Sequence, residues 1–371
     1  MNRLRVLHVV QNLGYGGMER VFADLVRRLD RSRFESHVLV LTYFGVNAQG
    51  LEAHATMHPP FPQGRLSLLR PTAFADVIRA IAPAVVHSHQ GVWYKTARAA
   101  RLAGVPWVVH TEHGRQHPDP WSARVIGRLA SRLTDVIVPV SQVLLDQMAR
   151  TVVARPDRLH LIENGIDTDA YAPGPDEGRL RAELGLAPEV PIIGSIGRLE
   201  PIKGYDLMIE AYGELRRQWT GGPAPVLVIA GDGSLRPALA ARAEALGVGD
   251  GVRLLGWRDD AASLLSAFRF FTLCSRSEGT SIGVLEAMSA GLCPVVTDVG
   301  GNARVLGEAL RHRLVPPVDP VAMALAWRDA LLDDRRRAQD AAAGRARVLE
   351  QFGLDATVRK YETLYLRALP R

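Results

Sequence analysis

The sequence of 371 residues predicts an α/β protein with two doubly wound parallel sheets, each in its own Rossmann-like domain. Three observations lead to this fold class. Short apolar runs alternate with amphipathic stretches, and the runs are apolar on both faces, as parallel strands covered by helices are. The alternation is interrupted once, near the middle of the chain. The length also exceeds what one ordinary core fills, which favours two domains.

The predicted strands are rich in β-branched residues and leave room for a helix between them. In chain order they are Arg5–Val10, His37–Thr42, Ala84–His87, Trp107–His110, Val136–Val140, Ile192–Gly197, Val226–Ala230, Val252–Gly256, Phe270–Cys274 and Pro294–Thr297. Helices are predicted where apolar residues recur on one face, most clearly at Met18–Leu29, Asp206–Trp219 and Leu354–Leu369.

Turn residues mark the boundary between the domains. Asn164-Gly165-Ile166-Asp167 is typical of a turn, Ala172 to Pro175 has loop composition, and the next strand begins only at Ile192. We therefore predict an N-terminal domain over residues 1–166, a C-terminal domain over 167–352 and a final helical segment over 353–371.

Composition and charge limit the compartment and the partners. The net charge of +6 favours anionic partners, but no aromatic–basic motif indicates nucleic acid. No apolar run approaches the roughly 20 residues that span a bilayer, and Met1–Gln11 is interpreted as a first strand, so we expect a cytoplasmic protein. Cys274 and Cys293 are expected to be reduced, buried thiols.

Two strand-to-helix loops in the second half carry residues that suit a phosphorylated ligand. Arg198 and Lys203, in the loop from Gly197 to Gly204, offer a planar fork and a point charge that suit a diphosphate; a solvated surface loop is the alternative. In the segment Ser277–Met288, the residues from Gly279 to Gly283 lead into a helix whose free amides favour an anion.

Two carboxylates flank the start of that helix. Glu278 and Glu286 each fit a vicinal diol, since a carboxylate accepts two hydrogen bonds. Taken alone, Glu278 is more typical of a helix N-terminal cap than of a ligand-binding residue, and Glu286 is more typical of an exposed helix face.

The ordered set of motifs resembles the retaining family 4 of glycosyltransferases over nearly the whole chain. The residues that carry the resemblance are Gly16-Gly17-Met18-Glu19, His87-Ser88-His89, His110-Thr111-Glu112-His113-Gly114, Asn164-Gly165-Ile166-Asp167, Arg198, Lys203-Gly204, Ala230-Gly231-Asp232-Gly233, Glu278-Gly279, Leu285-Glu286-Ala287-Met288, Ala290-Gly291, Pro294-Val295-Val296 and Gly300-Gly301-Asn302.

The resemblance implies a GT-B fold, in which two Rossmann-like domains face an interdomain cleft and the last helix crosses back to the first domain. It implies that Arg198 and Lys203 bind the donor diphosphate and Glu286 the ribose. Glu278 and the backbone of Gly279, Thr280, Ser281 and Ile282 would hold the donor sugar. His113 would lie beside the reacting sugar, and Gly16 and Gly17 would let backbone amides approach the ligand.

The activity implied by the resemblance is metal-independent transfer of a hexose, with retention, from a UDP- or GDP-sugar to a saccharide or lipid-linked acceptor. Arg198, Lys203 and the helix amides would stabilise the leaving diphosphate, so no metal and no cofactor is expected. The N-terminal domain would bind the acceptor, and a subgroup resemblance points to exopolysaccharide assembly. Two groups of basic residues are interpreted either as solvated helix faces or as contacts with anionic lipid at the inner face of the plasma membrane; they are Arg20, Arg27 and Arg28 of the first helix, and the segment Arg124–Arg132.

Rival functions and residues outside the pattern remain to be weighed. A nucleotide-sugar epimerase of the same architecture and a non-enzymatic nucleotide-sugar-binding protein are the alternatives. Ala303-Arg304 stands where the family commonly has Pro-Glu, which puts an arginine in place of an acidic residue. Glu112, His87 and His89 are left without an assigned role, and His8 is predicted to be a core residue. Asp167-Thr168-Asp169 is interpreted as a turn and not as a metal site.

Overall fold

The computed structural model describes residues 3–14, 16–61, 71–115, 119–153 and 155–369. It divides into two compact units. The first consists of residues 1–165 together with the C-terminal segment 354–371, and the second of residues 166–353.

The first unit contains six parallel strands in the order β3-β2-β1-β4-β5-β6. This is the strand order of a doubly wound dinucleotide-binding sheet, with its switch point between β1 and β4. Its elements are β1 (Leu4–Val10), α1 (Gly17–Arg28), β2 (Phe34–Val40), β3 (Thr56–His58), α2 (Thr72–Ile81), β4 (Val85–His89), α3 (Trp93–Leu102), β5 (Trp107–Glu112), α4 (Trp121–Arg132), β6 (Val136–Pro139), α5 (Gln142–Thr151) and, from the C-terminus of the chain, α14 (Leu354–Leu366).

The second unit repeats this topology. Its parallel strands lie in the order β12-β11-β10-β7-β8-β9, so that β7 and β10 flank the switch point. Its elements are α6 (Arg179–Leu184), β7 (Ile192–Ile196), α7 (Tyr205–Gln218), β8 (Val226–Ala230), α8 (Arg236–Ala245), β9 (Val252–Gly256), α9 (Ala261–Ala267), β10 (Phe270–Leu273), α10 (Ile282–Ser289), β11 (Pro294–Thr297), α11 (Asn302–Leu306), β12 (Leu314–Val315), α12 (Pro320–Leu332) and α13 (Asp334–Gln351).

Both sheets are covered on both faces. In β8, Leu227 and Ile229 join one buried apolar cluster, whereas Val226 and Val228 join another. Side chains alternate between the faces of a strand, so the two clusters lie on opposite sides of the sheet. The first unit is built in the same way, and Val358, Tyr361 and Tyr365 of α14 belong to the cluster that covers β1 on one side.

The structure confirms the fold class, with each of the ten predicted strands present, and adds two strands that the sequence did not reveal. β3 and β12 are short edge strands of three and two residues. The prediction also ended β4 at His87, whereas the strand continues to His89. Cys274 and Cys293 are free and buried, as expected. No helix among the described residues is both long and apolar enough to cross a bilayer.

Candidate functional site

In the second unit, the predicted ligand-binding residues follow β7 and β10, the strands on either side of the switch point. Phe270 pairs with Ile193, and Phe271 with Gly194, so these strands are direct neighbours. The β7–α7 loop (residues 197–204) and the β10–α10 loop (residues 274–281) therefore leave the sheet side by side. Open α/β sheets bind ligands at this place, outside the carboxyl ends of the strands.

The two loops are held together by close backbone packing and by an ion pair. Gly204 has a φ of +64°, and a Cβ atom there would lie 2.1 Å from the carbonyl oxygen of Cys274. The guanidinium of Arg276 donates to Asp206 at 2.6 and 2.8 Å and to the Pro201 carbonyl oxygen at 2.9 Å. The geometry of one loop thus fixes the geometry of the other.

Lys203 and Glu278, which lie 75 positions apart in sequence, meet across the loops. The Nζ atom of Lys203 donates to Oε1 of Glu278 at 2.6 Å, and the same oxygen accepts from the buried Ser275 hydroxyl at 2.6 Å. The two side chains keep 21% and 9% of their surface exposed, so the pair is partly shielded but reachable. Ser275 was not predicted as a site residue, because a serine three positions before a glutamate is a common pattern in any loop.

Arg198 and Glu286 lie on the elements that adjoin this pair. Arg198 is exposed in the β7–α7 loop, and its guanidinium has no hydrogen-bond or ion-pair partner among the described residues. Glu286 is buried on α10, one turn after the helix begins at Ile282. Gly279 and Thr280 are half-buried, and Ser281 directly precedes the helix.

The Gly300-Gly301-Asn302 motif, which follows β11, packs against the β10–α10 loop. Cβ atoms added to Gly300 and Gly301 would lie 1.8 Å from the Glu278 carbonyl oxygen and 1.9 Å from that of Gly279. The Asn302 amide donates to the Thr297 carbonyl oxygen at 2.9 Å, and the Thr297 hydroxyl donates to the Ser275 carbonyl oxygen at 2.7 Å. This motif thereby positions the backbone that carries Glu278.

Arg304, the residue that departs from the family pattern, is directed toward the end of α13. Its guanidinium lies over the ring of Phe352 at 5.9 Å from the centroid, and Arg347 occupies a similar position on the same ring. Arg347 also donates to the Arg304 carbonyl oxygen at 2.7 Å. The substituted arginine is therefore part of a cation–aromatic contact within the second unit.

In the first unit, four histidines of β1, β4 and the loop after β5 form a cluster, in which His8, His87 and His89 are buried and His113 is half-buried. The rings of His87 and His89 lie 4.0 Å apart, His8 lies 5.6 Å from His87, and His113 stacks on His89 at 5.8 Å. Burial lowers the pKa of His8 to about 3 and that of His113 to about 4, and lowers the pKa values of His87 and His89 well below 6.5. All four rings are therefore neutral at neutral pH.

Ring nitrogens of His8, His87 and His89 lie within 4.8 Å of one another. However, His87 uses both nitrogens, contacting the Tyr365 hydroxyl and the Thr111 hydroxyl at 2.7 Å each. Of these three, only His8 and His89 offer nitrogens without a hydrogen-bond partner among the described residues; His113 also has two such nitrogens but is not one of the three that converge. Two imidazoles are fewer than the ligands of a protein zinc site. His87 is thus structural, because it ties α14 to the sheet.

The loop after β5 fixes the position of His113. Arg115 donates to Oε2 of Glu112 at 3.0 Å and to both oxygens of Asp119 at 3.2 Å. Glu112 and Asp119 are buried, so this network holds the described ends of the loop. Although burial acts to raise the pKa of Glu112, His110 and Arg115 lower it, and the carboxylate stays ionised. We assign Glu112 a structural role here.

Gly16 and Gly17 lie at the start of α1, which begins at Gly17. A Cβ atom on Gly16 would lie 2.1 Å from Oε2 of Glu19, so a larger residue would displace that side chain. Asp167 accepts from the backbone amides of Asp169 and Ala170 at 3.1 Å, which confirms the turn predicted for that segment.

Comparison with known proteins covers both units. The family described as Glycosyltransferase Family 4 matches residues 15–170, and the family described as Glycosyl transferases group 1 matches residues 176–347. The D-inositol 3-phosphate glycosyltransferase of Jonesia denitrificans is 30% identical over 307 residues, covering 76% of this chain and 71% of the relative. The putative glycosyltransferase EpsF of Bacillus subtilis is 27% identical, and the match covers 95% of this chain and 93% of EpsF.

Among solved structures, Anabaena HepE in complex with UDP-glucose superposes with a TM-score of 0.86 at 22% identity, covering 99% of this chain and all of the other. This likeness shows the fold, which is GT-B. The two family matches and the similarity to the Jonesia enzyme are consistent with the two repeated sheets. The chain therefore belongs to the group 1 and family 4 glycosyltransferases.

Proposed function

We propose that this glycosyltransferase moves a sugar, with retention of anomeric configuration and without a metal, from a UDP- or GDP-sugar to a saccharide or lipid-linked acceptor. The observation that carries the proposal is the contact of Lys203 with Glu278 at the switch point of the second unit. This contact joins a cation that would suit a phosphate to a carboxylate that would suit sugar hydroxyls, at the edge where such sheets bind ligands.

Donor binding would exchange the partner of Lys203. A diphosphate carries more negative charge than one carboxylate and would draw the Lys203 ammonium away from Glu278, with Arg198 adding a two-pronged contact. Ser275 would retain Oε1 of Glu278, and the carboxylate would then accept hydrogen bonds from the donor sugar. Glu286 would accept from the ribose hydroxyls, and the amides around Ser281 would face the phosphates.

These groups would supply the positive charge that the proposed reaction requires. As the glycosyl–phosphate bond breaks, the departing oxygen gains negative charge, which Arg198, Lys203 and the amide dipoles at the start of α10 would stabilise where it develops. Two cations already present in the chain make a divalent ion unnecessary in this scheme.

Retention would follow from attack on the face from which the diphosphate leaves. The bond between the anomeric carbon and the phosphate oxygen breaks, the acceptor oxygen bonds to that carbon on the same face, and the acceptor proton passes to the departing phosphate. Neutral His113 would bind a hydroxyl of the reacting sugar, since an unprotonated imidazole both donates and accepts a hydrogen bond.

The first unit would bind the acceptor beside Gly16, Gly17 and His113. The similarity to a protein crystallised with UDP-glucose supports a uridine-linked donor. A lipid-linked acceptor would bring the enzyme to a membrane surface, which suits a role in exopolysaccharide or other cell-surface glycan synthesis.

The test is to follow the sugar released from a panel of UDP- and GDP-hexoses by proton NMR, in the presence of a chelator. We expect the first free sugar to keep the donor's anomeric configuration, at a rate that added magnesium does not change. Lys203→Ala should abolish most of the release, whereas Lys360→Ala, a matched exposed lysine on α14, should leave it unchanged.

Three results would contradict the proposal in different ways. An inverted anomer would exclude retention. Activity lost in the chelator and restored by magnesium would exclude the metal-free scheme. A sugar epimerised at another carbon would favour the epimerase alternative.

A further inference from the structure

Helix α4 presents its large apolar side chains to solvent. Trp121, Val125, Ile126 and Leu129 are 72%, 44%, 43% and 40% exposed. Trp121, Val125 and Leu129 are four residues apart, and Ile126 lies three residues before Leu129, which places them on one broad face of the helix. A helix that covers a sheet normally packs its apolar face against the sheet. In α4 the large apolar side chains instead point to solvent.

The residues on the buried face of α4 explain why the helix does not turn about its axis to bury the large apolar side chains. That face consists of small residues, with Gly127, Ala130 and Ser131 buried. A Cβ atom on Gly127 would lie 2.6 Å from Cγ1 of Val152, so the helix lies too close to its neighbours for a larger side chain to enter. The small face is built for contact with the protein, which leaves the large face for something else.

A row of arginines runs along the edge of the apolar face. Arg124, Arg128 and Arg132 are exposed and four residues apart, and α4 contains no acidic residue. Arg128 is fixed in place by a hydrogen bond from Nε to the Thr151 carbonyl oxygen at 3.2 Å. An exposed apolar stripe therefore lies beside an unbalanced row of positive charge.

We propose that α4 is a docking surface for an anionic lipid bilayer. A helix with an apolar face and flanking arginines lies in the plane of the membrane interface, with its apolar side chains among the acyl chains and its guanidinium groups at the lipid phosphates. Trp121, at one end, is of the type that concentrates at the bilayer interface.

A second copy of the chain is a poorer occupant than a bilayer. A symmetric dimer through α4 would pack the same surface against itself and bring two rows of arginines together without acidic partners from either helix. An anionic bilayer supplies both the apolar medium and the negative charge that this surface lacks.

This inference deepens the proposed lipid-linked acceptor by assigning the membrane-binding surface, but its test needs neither donor nor acceptor. The full-length protein is sedimented with vesicles of phosphatidylcholine alone or of phosphatidylcholine mixed with phosphatidylglycerol. We expect binding to the mixed vesicles only. Arg124→Gln with Arg132→Gln should weaken it about 25-fold, since each arginine near an anionic surface contributes about fivefold.

Matched variants of the second unit serve as controls. Arg335→Gln with Arg336→Gln removes two exposed arginines from α13, and Leu325→Ser removes an exposed leucine from α12. The α13 and α12 variants should bind the mixed vesicles as the unmodified protein does. The double variant Trp121→Ser with Leu129→Ser should lose vesicle binding. Melting temperatures of all variants establish that they are folded.

Several outcomes would overturn the assignment. Equal binding to both vesicle types would remove the role of charge, and binding by the α4 variants that equals that of the controls would place the contact elsewhere. Self-association that the α4 substitutions abolish, with vesicle binding unchanged, would identify a second copy as the occupant. Absence of NMR-detected sugar release from every donor, with vesicle binding intact, would contradict the proposed function alone.

Discussion

The carboxylate of Glu278 is held by residues that a reader of the sequence would place in three separate motifs. Lys203 approaches it from the β7–α7 loop and Ser275 from the segment after β10. Gly300 and Gly301, after β11, pack against the backbone of Glu278 and Gly279. The sequence predicted Lys203 and Glu278 as ligand-binding candidates, but not their contact. That contact depends on β7 and β10 being neighbours, and strand order is not encoded in local pattern.

The buried histidines are a second case in which residue type was easier to predict than environment. His8 was correctly predicted to lie in the core, and His87 proves to be tied to Tyr365 of the last helix. Nothing near either residue in sequence indicates that four imidazoles gather at one place. Their common burial has a measurable consequence for stability.

The first unit should lose stability as the pH falls from about 7 to about 5. In the unfolded chain these histidines bind protons near pH 6.5, whereas in the folded chain burial holds the pKa of His8 at about 3 and that of His113 at about 4. The unfolded state therefore binds more protons below pH 6.5, and stability present above that pH is lost as the pH falls. Urea unfolding at a series of pH values measures this loss.

The expected slope is up to about 1.4 kcal/mol per pH unit for each histidine that titrates only on unfolding. Carboxylates contribute little in this window, because their unfolded pKa values lie near 4. His113→Asn should reduce the slope by about the share of one histidine. A free energy of unfolding that stays constant between about pH 7 and about pH 5 would contradict the neutral, buried cluster.

At the scale of elements, the loops after β7 and β10 owe their shape to glycines packed against backbone. Gly204 and Gly300 have positive φ angles, and a side chain at either would strike a carbonyl oxygen. The resemblance drew attention to these glycines as parts of motifs. Their physical reason, close approach of three loops, becomes visible only in the folded chain.

Gly301→Ala should displace the β10–α10 loop. Gly301 has an ordinary φ of −85°, so the substitution tests steric contact with the Gly279 carbonyl oxygen and not backbone strain. We expect a destabilisation of about 1–3 kcal/mol and a loss of nucleotide affinity, because the loop must move to admit the methyl group. Chemical unfolding and calorimetric titration with UDP and GDP measure the two effects.

Gly174→Ala is the matched control, since an added Cβ atom at Gly174 meets no atom within 4 Å. It should change neither stability nor nucleotide affinity appreciably. If Gly301→Ala behaves as this control does, the loop is not held by the Gly-Gly-Asn motif in the way described.

At the scale of the whole molecule, the chain is one topology used twice. Both sheets have the same strand order about a central switch point, and each is sandwiched between helices. The sequence predicted this class because buried parallel strands leave a strong apolar signal. It missed β3 and β12 because edge strands of two or three residues, partly exposed, leave almost none.

The orientation of helix α4 is a second feature that the sequence alone did not reveal. The pattern of apolar residues and arginines was visible in the sequence, but periodicity reports only that a helix has an apolar face and not which way that face points. The outward orientation follows from the small residues Gly127 and Ala130, whose packing decides which side contacts the protein.

The central claim is that the second unit binds a nucleoside diphosphate sugar through Lys203, and calorimetric titration with UDP and GDP in a chelator tests it most directly. The account predicts metal-free binding of one of the two nucleotides, weakened about 10- to 100-fold by Lys203→Ala through loss of a charged contact and unaffected by Lys360→Ala. Equal affinity for the nucleotide in all three proteins, or no binding until magnesium is added, would contradict it.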